Sequence, residues 1–195
     1  VSGSSDGTVR LWDVDSGQQL KEFTGHAQWI RAVQPLSEDV IVSGGDDSLL
    51  LFWRINDTEN VPFPSRSAGP IGGVSLAEIF GTDMWITSIR VLSRSKLCVG
   101  TWQGLVLLID LEENSIRPIL AGHTGWIRGI DMIDNQRIVS CGEDRTIRVS
   151  DLLSGTCVAT FNGDAFFSSL VSFNEGKSIF CGDTAGNIHE FDIFL

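Results

Sequence analysis

The 195-residue chain has 42% apolar side chains and a formal charge of −11, from 14 basic and 25 acidic residues. Such a chain is long and apolar enough for a sizeable core and is not a disordered segment. Its acidity argues against general binding to nucleic acid or to an anionic membrane, since both need Lys and Arg to neutralise phosphate. No stretch approaches the ~18 apolar residues of a membrane span, and the opening VSGSSDG carries no signal-peptide pattern, so the cytoplasm is the expected compartment.

In chain order, residues 1–3 read as the end of a strand, 4–7 as a tight turn marked by Asp6-Gly7, and 8–13 as the next strand. A strand at 18–23 follows, then strands at 29–34, 40–43 and 49–54. Residues 56–74 contain Pro62, Pro64 and Pro70, which rule out regular structure through most of the stretch. This insertion is either a solvated loop or a docking loop anchored on Phe63 near Arg66. Residues 75–79 are expected to resume as a strand, followed by strands at 85–92, 95–100, 105–110 and 116–120. The stretch GHTGWIRGIDMIDNQRIVSCGEDRTIRVSD at 122–151 then supplies three strands, 157–161 a fourth, and 163–192 three more.

Versions of the 122–151 unit recur. The slot held by Trp12, Trp53, Ile109, Ser150 and Phe191 advances by 41, 56, 41 and 41 residues. In the four longer copies Gly25, Gly81, Gly122 and Gly163 lie 28 residues before that slot, so the one long interval reflects an insertion between units. A period near 41 fits the roughly 40 to 45 residues of a four-stranded blade that opens on Gly-His and closes on Trp-Asp. Through Gly25-His26, Gly122-His123, Trp12-Asp13 and SGSSDGTVRLWD, the chain resembles the WD-repeat family.

That resemblance implies an all-β fold, a β-propeller of four-stranded antiparallel blades with about four and three-quarter blades present. The blades would span 1–24, 25–80 (with the insertion 56–74), 81–121, 122–162 and 163–195, forming a single unit over 1–195. The insertion would follow a third strand, on the bottom face of the disc. Strands apolar on both faces, such as LLLF at 49–52 and LVLLI at 105–109, need cover on both sides, which stacked blades supply. A seven-bladed ring would need roughly 290 residues at this period. The expectation is therefore part of a longer ring, closed by missing blades, an upstream domain or a second copy.

His26, Ser43 and Asp47 recur one complete unit later as His123, Ser140 and Asp144. The residue types are those of a hydrolase triad, but an active site is built once, whereas a device that holds each blade is needed repeatedly. The resemblance implies that these side chains, with Trp53, form a buried tetrad in which Asp holds His, His contacts Ser, and Ser contacts the indole N–H. Other units depart from the pattern: Ser150 stands for Trp, Thr82 and Asp164 for His, Val99 and Cys181 for Ser, and Gln103 and Ala185 for Asp. His189 has no acidic or nucleophilic neighbour in register and reads as a packing or surface residue. Cys98, Cys141, Cys157 and Cys181 show no CxxC pair and read as reduced thiols; no metal or other cofactor is expected.

Three and five places after the His slot stand Trp29 and Arg31, Trp85 and Thr87, Trp126 and Arg128, and Phe167 and Ser169. The resemblance places these positions on the top rim of the central channel, with the residue before the turn Asp: Ser5, Asp46, Trp102, Glu143 and Thr184. Aromatic and Arg side chains dominate binding energy where they are desolvated. Trp29, Arg31, Trp85, Trp126, Arg128, Phe167, Asp46, Trp102 and Glu143 are thus the candidate partner-binding residues, with Arg31 and Arg128 able to pair a carboxylate or phosphate. The opposing reading has the indoles plugging the channel or packing between blades.

The function expected is a non-enzymatic scaffold or sensor module that binds a protein or peptide on this rim. The alternative is the sensor or regulatory end of a larger signalling enzyme, an NTPase or kinase, with its catalytic domain upstream. No P-loop or kinase signature occurs in the chain.

Overall fold

A computed structural model describes residues 1–55, 62–63, 73–119, 122–174 and 176–193. The described strands form five antiparallel sheets, each built from strands adjacent in sequence. The first holds β1 (Ser2–Gly3), β2 (Thr8–Trp12) and β3 (Gln19–Thr24) in that order. The second holds β4 (Ile30–Pro35), β5 (Val40–Gly45), β6 (Leu49–Arg54) and β7 (Pro62–Phe63), with β8 (Val74–Ser75) also paired to β6. The third is β9 (Ile86–Val91), β10 (Lys96–Thr101), β11 (Val106–Asp110) and β12 (Ser115–Ile119). The fourth is β13 (Ile127–Met132), β14 (Arg137–Gly142), β15 (Thr146–Asp151) and β16 (Cys157–Asn162), and the fifth β17 (Phe167–Phe173), β18 (Ser178–Asp183) and β19 (Ile188–Asp192). The all-β propeller arrangement of about four and three-quarter blades follows directly.

The core lies between consecutive sheets, in four layers. Val9 and Phe23 meet Ile30, Ile41 and Trp53; Val42, Leu50 and Phe52 meet Ile86, Ile89 and Leu97. Cys98, Val106 and Leu108 meet Ile127, Ile130 and Ile138, and Val139, Cys141 and Ile147 meet Phe167, Ile179 and Cys181. Each middle sheet is therefore buried on both faces, the reason its strands read as unbroken apolar runs. Three of the interfaces depend on a missing side chain, because a Cβ on Gly3, Gly44 or Gly100 would collide with the Cγ2 of Ile30, Ile86 or Ile127 in the next sheet.

The segment after β6 differs from expectation in two ways. Its outer strand is split, with Phe52 opposite Phe63 and Trp53 opposite Pro62 in one piece, and Leu49 opposite Ser75 and Leu50 opposite Val74 in the other. The extra length follows the third strand, as expected, and interrupts the outer strand; Arg66 and most of the expected docking loop lie outside the described residues. Second, the strand expected at 75–79 is replaced by a short helix, α1 (Leu76–Phe80). Ser75 caps it by accepting the Glu78 N–H at 3.2 Å, and Gly81 ends it at φ 69°. Burial of Leu76, which is fully covered, ties this turn to the second and third sheets.

One local irregularity recurs. The first strands of sheets two to five each slip register by one residue near the start: between Ile30 and Ala32, opposite Gly100 and Thr101, between Ile127 and Gly129, and between Phe167 and Ser169. These β-bulges free Arg31, Thr87, Arg128 and Ser168 from the ladder, all at the same end of the molecule.

Candidate partner-binding rim

The four bulges lie directly beneath a repeated backbone contact. The carbonyls of Trp29, Trp85, Trp126 and Phe166 accept the N–H of Asp46, Trp102, Glu143 and Thr184 at 2.9, 3.1, 2.9 and 2.9 Å. Each contact pins a first strand to the turn between its second and third strands. It sets the residue before the bulge beside the residue of the turn, on the top edge of the sheet.

Below this edge, the tetrad positions of the second sheet converge. His26 Nδ1 lies 2.8 Å from Asp47 Oδ2, His26 Nε2 lies 2.8 Å from Ser43 Oγ, and Trp53 Nε1 donates to Ser43 Oγ at 2.7 Å. Asp47 also accepts the Ala27 N–H at 2.9 Å, so the network clasps the chain before β4 to the β5–β6 turn. In the fourth sheet His123 lies 2.9 Å from Asp144 Oδ2 and 2.8 Å from Ser140 Oγ, and Ser150 Oγ is buried without a partner. Ser43 and Ser140 are fully buried and His26 and His123 nearly so, so no substrate carbonyl reaches either serine. The geometry of a triad is present twice, and both times it is sealed.

Burial pushes the Asp47 and Asp144 carboxyls up, but the hydrogen bond and charge of the facing histidine, with backbone N–H donors, outweigh it. Both carboxyls are held below their ordinary range. Burial lowers His123 in turn, against the opposing pull of Asp144. The thiols behave as core groups: burial pushes Cys98 and Cys181 up to about 12, and Cys141 upward as well. Among the described residues no cluster of His, Cys, Asp or Glu is arranged to hold a metal ion, and no helix is long and apolar enough to cross a membrane.

At the rim itself the second and fourth sheets build the same sandwich. The Arg31 guanidinium carbon lies 4.7 Å from the centre of the Trp29 ring, and its fork grips Asp46 at 2.8 and 2.7 Å. Arg128 lies 4.7 Å from the centre of Trp126, and both its Nε, at 2.9 Å, and its second fork nitrogen bond Glu143 Oε1. Neither arginine therefore presents the open fork for an outside carboxylate or phosphate that the sequence suggested. Between them, Trp85 and Trp102 lie 5.1 Å apart at a 31° tilt, and Trp126 meets both edge-on at 6.0 and 6.4 Å. Trp29 is 53% exposed, and Trp85, Trp102 and Trp126 are half-buried.

Phe167 does not belong to this rim. It is fully buried, in the layer between the last two sheets. The interval from Gly163 to the bulge is one residue shorter than in the other units, so the rim position falls to Phe166, which is 47% exposed, and the bulge to Ser168 instead of Ser169. Sequence spacing missed Phe166, although the adjacent pair of phenylalanines was a visible sign that one of them had to face outward. His189 packs against Phe167 and Phe191, and its Nε2 also lies 2.8 Å from Asp183 Oδ2, an acid outside its strand register that the alternation pattern did not bring near.

Stacked antiparallel sheets, four of them pinned from first strand to turn with an aromatic residue at the top edge, define a β-propeller. The model of the WD domain, G-beta repeat, matches residues 1–13, 17–54 and 114–151. The chain belongs to the WD-repeat family. It is 27% identical over 96% of its length to ribosome biogenesis protein YTM1 of Vanderwaltozyma polyspora, covering 51% of that protein. It is 28% identical over 83% of its length to mitochondrial division protein 1 of Mycosarcoma maydis, covering 20% of it. The WD40 β-propeller domain of Doa1 superposes with a TM-score of 0.80 at 21% identity, over 97% of this chain and 59% of that one. The chain thus spans about half the length of YTM1, or less of the other relative.

Proposed function

We propose that the chain is a non-enzymatic docking module that holds a protein or peptide partner on its top rim. Trp29, Trp85, Trp102, Trp126 and Phe166 are the apolar contacts, and the Arg31–Asp46 and Arg128–Glu143 pairs form the polar border. The observation that carries this reading is the recurrence of the bulge: in successive sheets it delivers an aromatic and a polar side chain to one edge. Among the described residues the indole N–H groups of Trp29, Trp85 and Trp126 have no protein acceptor, leaving them for a partner's carbonyls. Aromatic groups with one wet end are the usual anchors of an interface. The scaffold role suits relatives whose names concern processes as different as ribosome biogenesis and mitochondrial division.

Exposed apolar residues on the last sheet, Val171, Phe173 and Ile188, at 52, 66 and 79%, support a ring in which further blades or a second copy pack against it. A photo-crosslinker placed at Gln28, beside the rim, and another at Gln136, on the far end, would test the docking face. Adducts are expected from the rim site alone, and Trp126→Ala and Arg128→Ala should remove them; Arg128→Ala should do so with little change in thermal melting, since an exposed ion pair contributes only about 0 to 1 kcal/mol. Adducts that form equally from Gln136 would overturn the assignment.

A further inference from the structure

The three bulges that begin the second, third and fourth sheets are the same backbone device carrying different side chains. In the outer two, a guanidinium lies on an indole with a carboxylate behind it: Trp29, Arg31 and Asp46, then Trp126, Arg128 and Glu143. The middle one has the indole but no cation. Its bulge residue, Thr87, is too short to cover Trp85 and turns its hydroxyl to the carbonyls of Ile127, at 2.6 Å, and Gly100, at 3.1 Å. Its turn position, held by an acid in the neighbours, is Trp102. This corner therefore has two adjoining indoles at a 31° tilt, a third edge-on to them, and no cation over Trp85 or Trp102 among the described residues.

An acidic residue stands close by, placed by its backbone. The backbone carbonyl of Asp83 accepts the Trp102 indole N–H at 3.3 Å and is also bonded by the Gln103 side-chain amide. The Asp83 side chain is exposed and has no ion pair among the described residues.

We infer that the Trp85–Trp102–Trp126 corner receives an arginine side chain of the docked polypeptide, stacked on the indoles and paired with Asp83. This inference rests on the rim being the docking face. The protein already holds a guanidinium in this way twice, on neighbouring blades; the middle blade keeps the indole, lacks the cation, and has Asp83 nearby in place of the turn acid. Indole faces attract cations through the ring quadrupole, and a planar, weakly hydrated guanidinium stacks better than an ammonium. Because Arg31 and Arg128 are each neutralised by their own acid, they do not repel an incoming cation as free charges would. The chain's charge of −11 favours the approach of a basic segment.

The test uses the full-length protein with its tryptophan indoles ¹⁵N-labelled and titrated with three Gly-Ser peptides, carrying arginine, citrulline or norleucine at the centre. Citrulline has the shape of arginine without the charge. The arginine peptide should shift the Trp85, Trp102 and Trp126 resonances saturably, and citrulline should bind about tenfold more weakly, the loss of about 1.4 kcal/mol. Asp83→Asn should weaken the arginine peptide several-fold and leave citrulline unchanged. Thr87→Arg, which supplies the missing guanidinium from within, should abolish arginine binding while the other indole signals stay in place. Equal binding of arginine and citrulline, or undiminished binding to Thr87→Arg, overturns the inference and leaves the rim as a docking face for neutral side chains. Failure of all three peptides to move these indoles overturns the inference; if crosslinking also fails at the rim, the docking assignment falls with it.

Discussion

The blade of Trp53 and the blade of Ser150 share one polar frame and finish it differently. In the first, Ser43 Oγ sits between His26 and the Trp53 indole, and that indole packs 5.7 Å from Phe23, on β3 of the preceding sheet. In the second, Ser140 meets His123, but Ser150 Oγ is left buried and unpaired. The turn compensates locally: Thr146 Oγ1 bonds both the His123 ring, at 3.1 Å, and Asp144, at 2.9 Å, and accepts from Arg148 Nε. The His–Ser–Asp frame thus holds the turn of its own blade, and the tryptophan joins that blade to its neighbour. The turns bear this out. In the two framed blades the backbone carries Ser48 and Arg145 in the left-handed region, at φ 62° and 64°, where the corresponding turns of the others use Gly7, Gly104 and Gly186. A side chain there costs roughly 1 to 2 kcal/mol, which a turn anchored by a buried carboxylate tolerates.

Trp53→Ala breaks this comparison most severely. It removes a fully buried indole from between two sheets and strands the Ser43 hydroxyl, and urea unfolding should show a loss of about 3 to 5 kcal/mol. A loss below about 1 kcal/mol would mean that the frame alone joins the blades.

Removing the carboxylate tests what the frames share. Asp47→Ala and Asp144→Ala should each cost about 3 kcal/mol, because a buried partner is left uncompensated. The same groups set an acid limit. The folded carboxyls lie below their ordinary values, so their contribution is present above about pH 4 and is lost as pH falls through the folded value. His123 is lowered, so the unfolded chain takes up its proton first and stability falls earlier, as pH drops below about 6.5. That earlier step should vanish in His123→Gln, measured as melting temperature against pH; its persistence would place the titration elsewhere.

The smallest effects should have opposite signs. Ser43→Ala deprives His26 and Trp53 of their common partner and should lower stability by about 1 to 3 kcal/mol. Ser150→Ala deletes an unpaired buried hydroxyl and should raise it by about 1 kcal/mol. A fall in the second case would show that the hydroxyl is served by bound water, and the two blades would then be more alike than their side-chain contacts indicate.

Most of the sheet architecture was legible in the sequence, because strand alternation, tight turns and the 41-residue recurrence are local properties that survive without tertiary context. Even α1 was written there, in Ser75 three residues before Glu78 and in Gly81 after Phe80; the expectation of a fourth strand outweighed a capping pattern that was present. The choice between Phe166 and Phe167 was different. A side chain changes face with every one-residue slip of register, and only packing against Val139, Cys141 and Ile147 decides which ring goes inward. The closed Arg31–Asp46 and Arg128–Glu143 forks join residues 15 apart through a bulge and a turn, and the indole cluster joins two blades. Most strands and the repeat period were therefore legible in the sequence alone. Which of those side chains face solvent, and which are already paired, was decided by how the blades pack, because burial and pairing depend on neighbours that the local pattern does not contain.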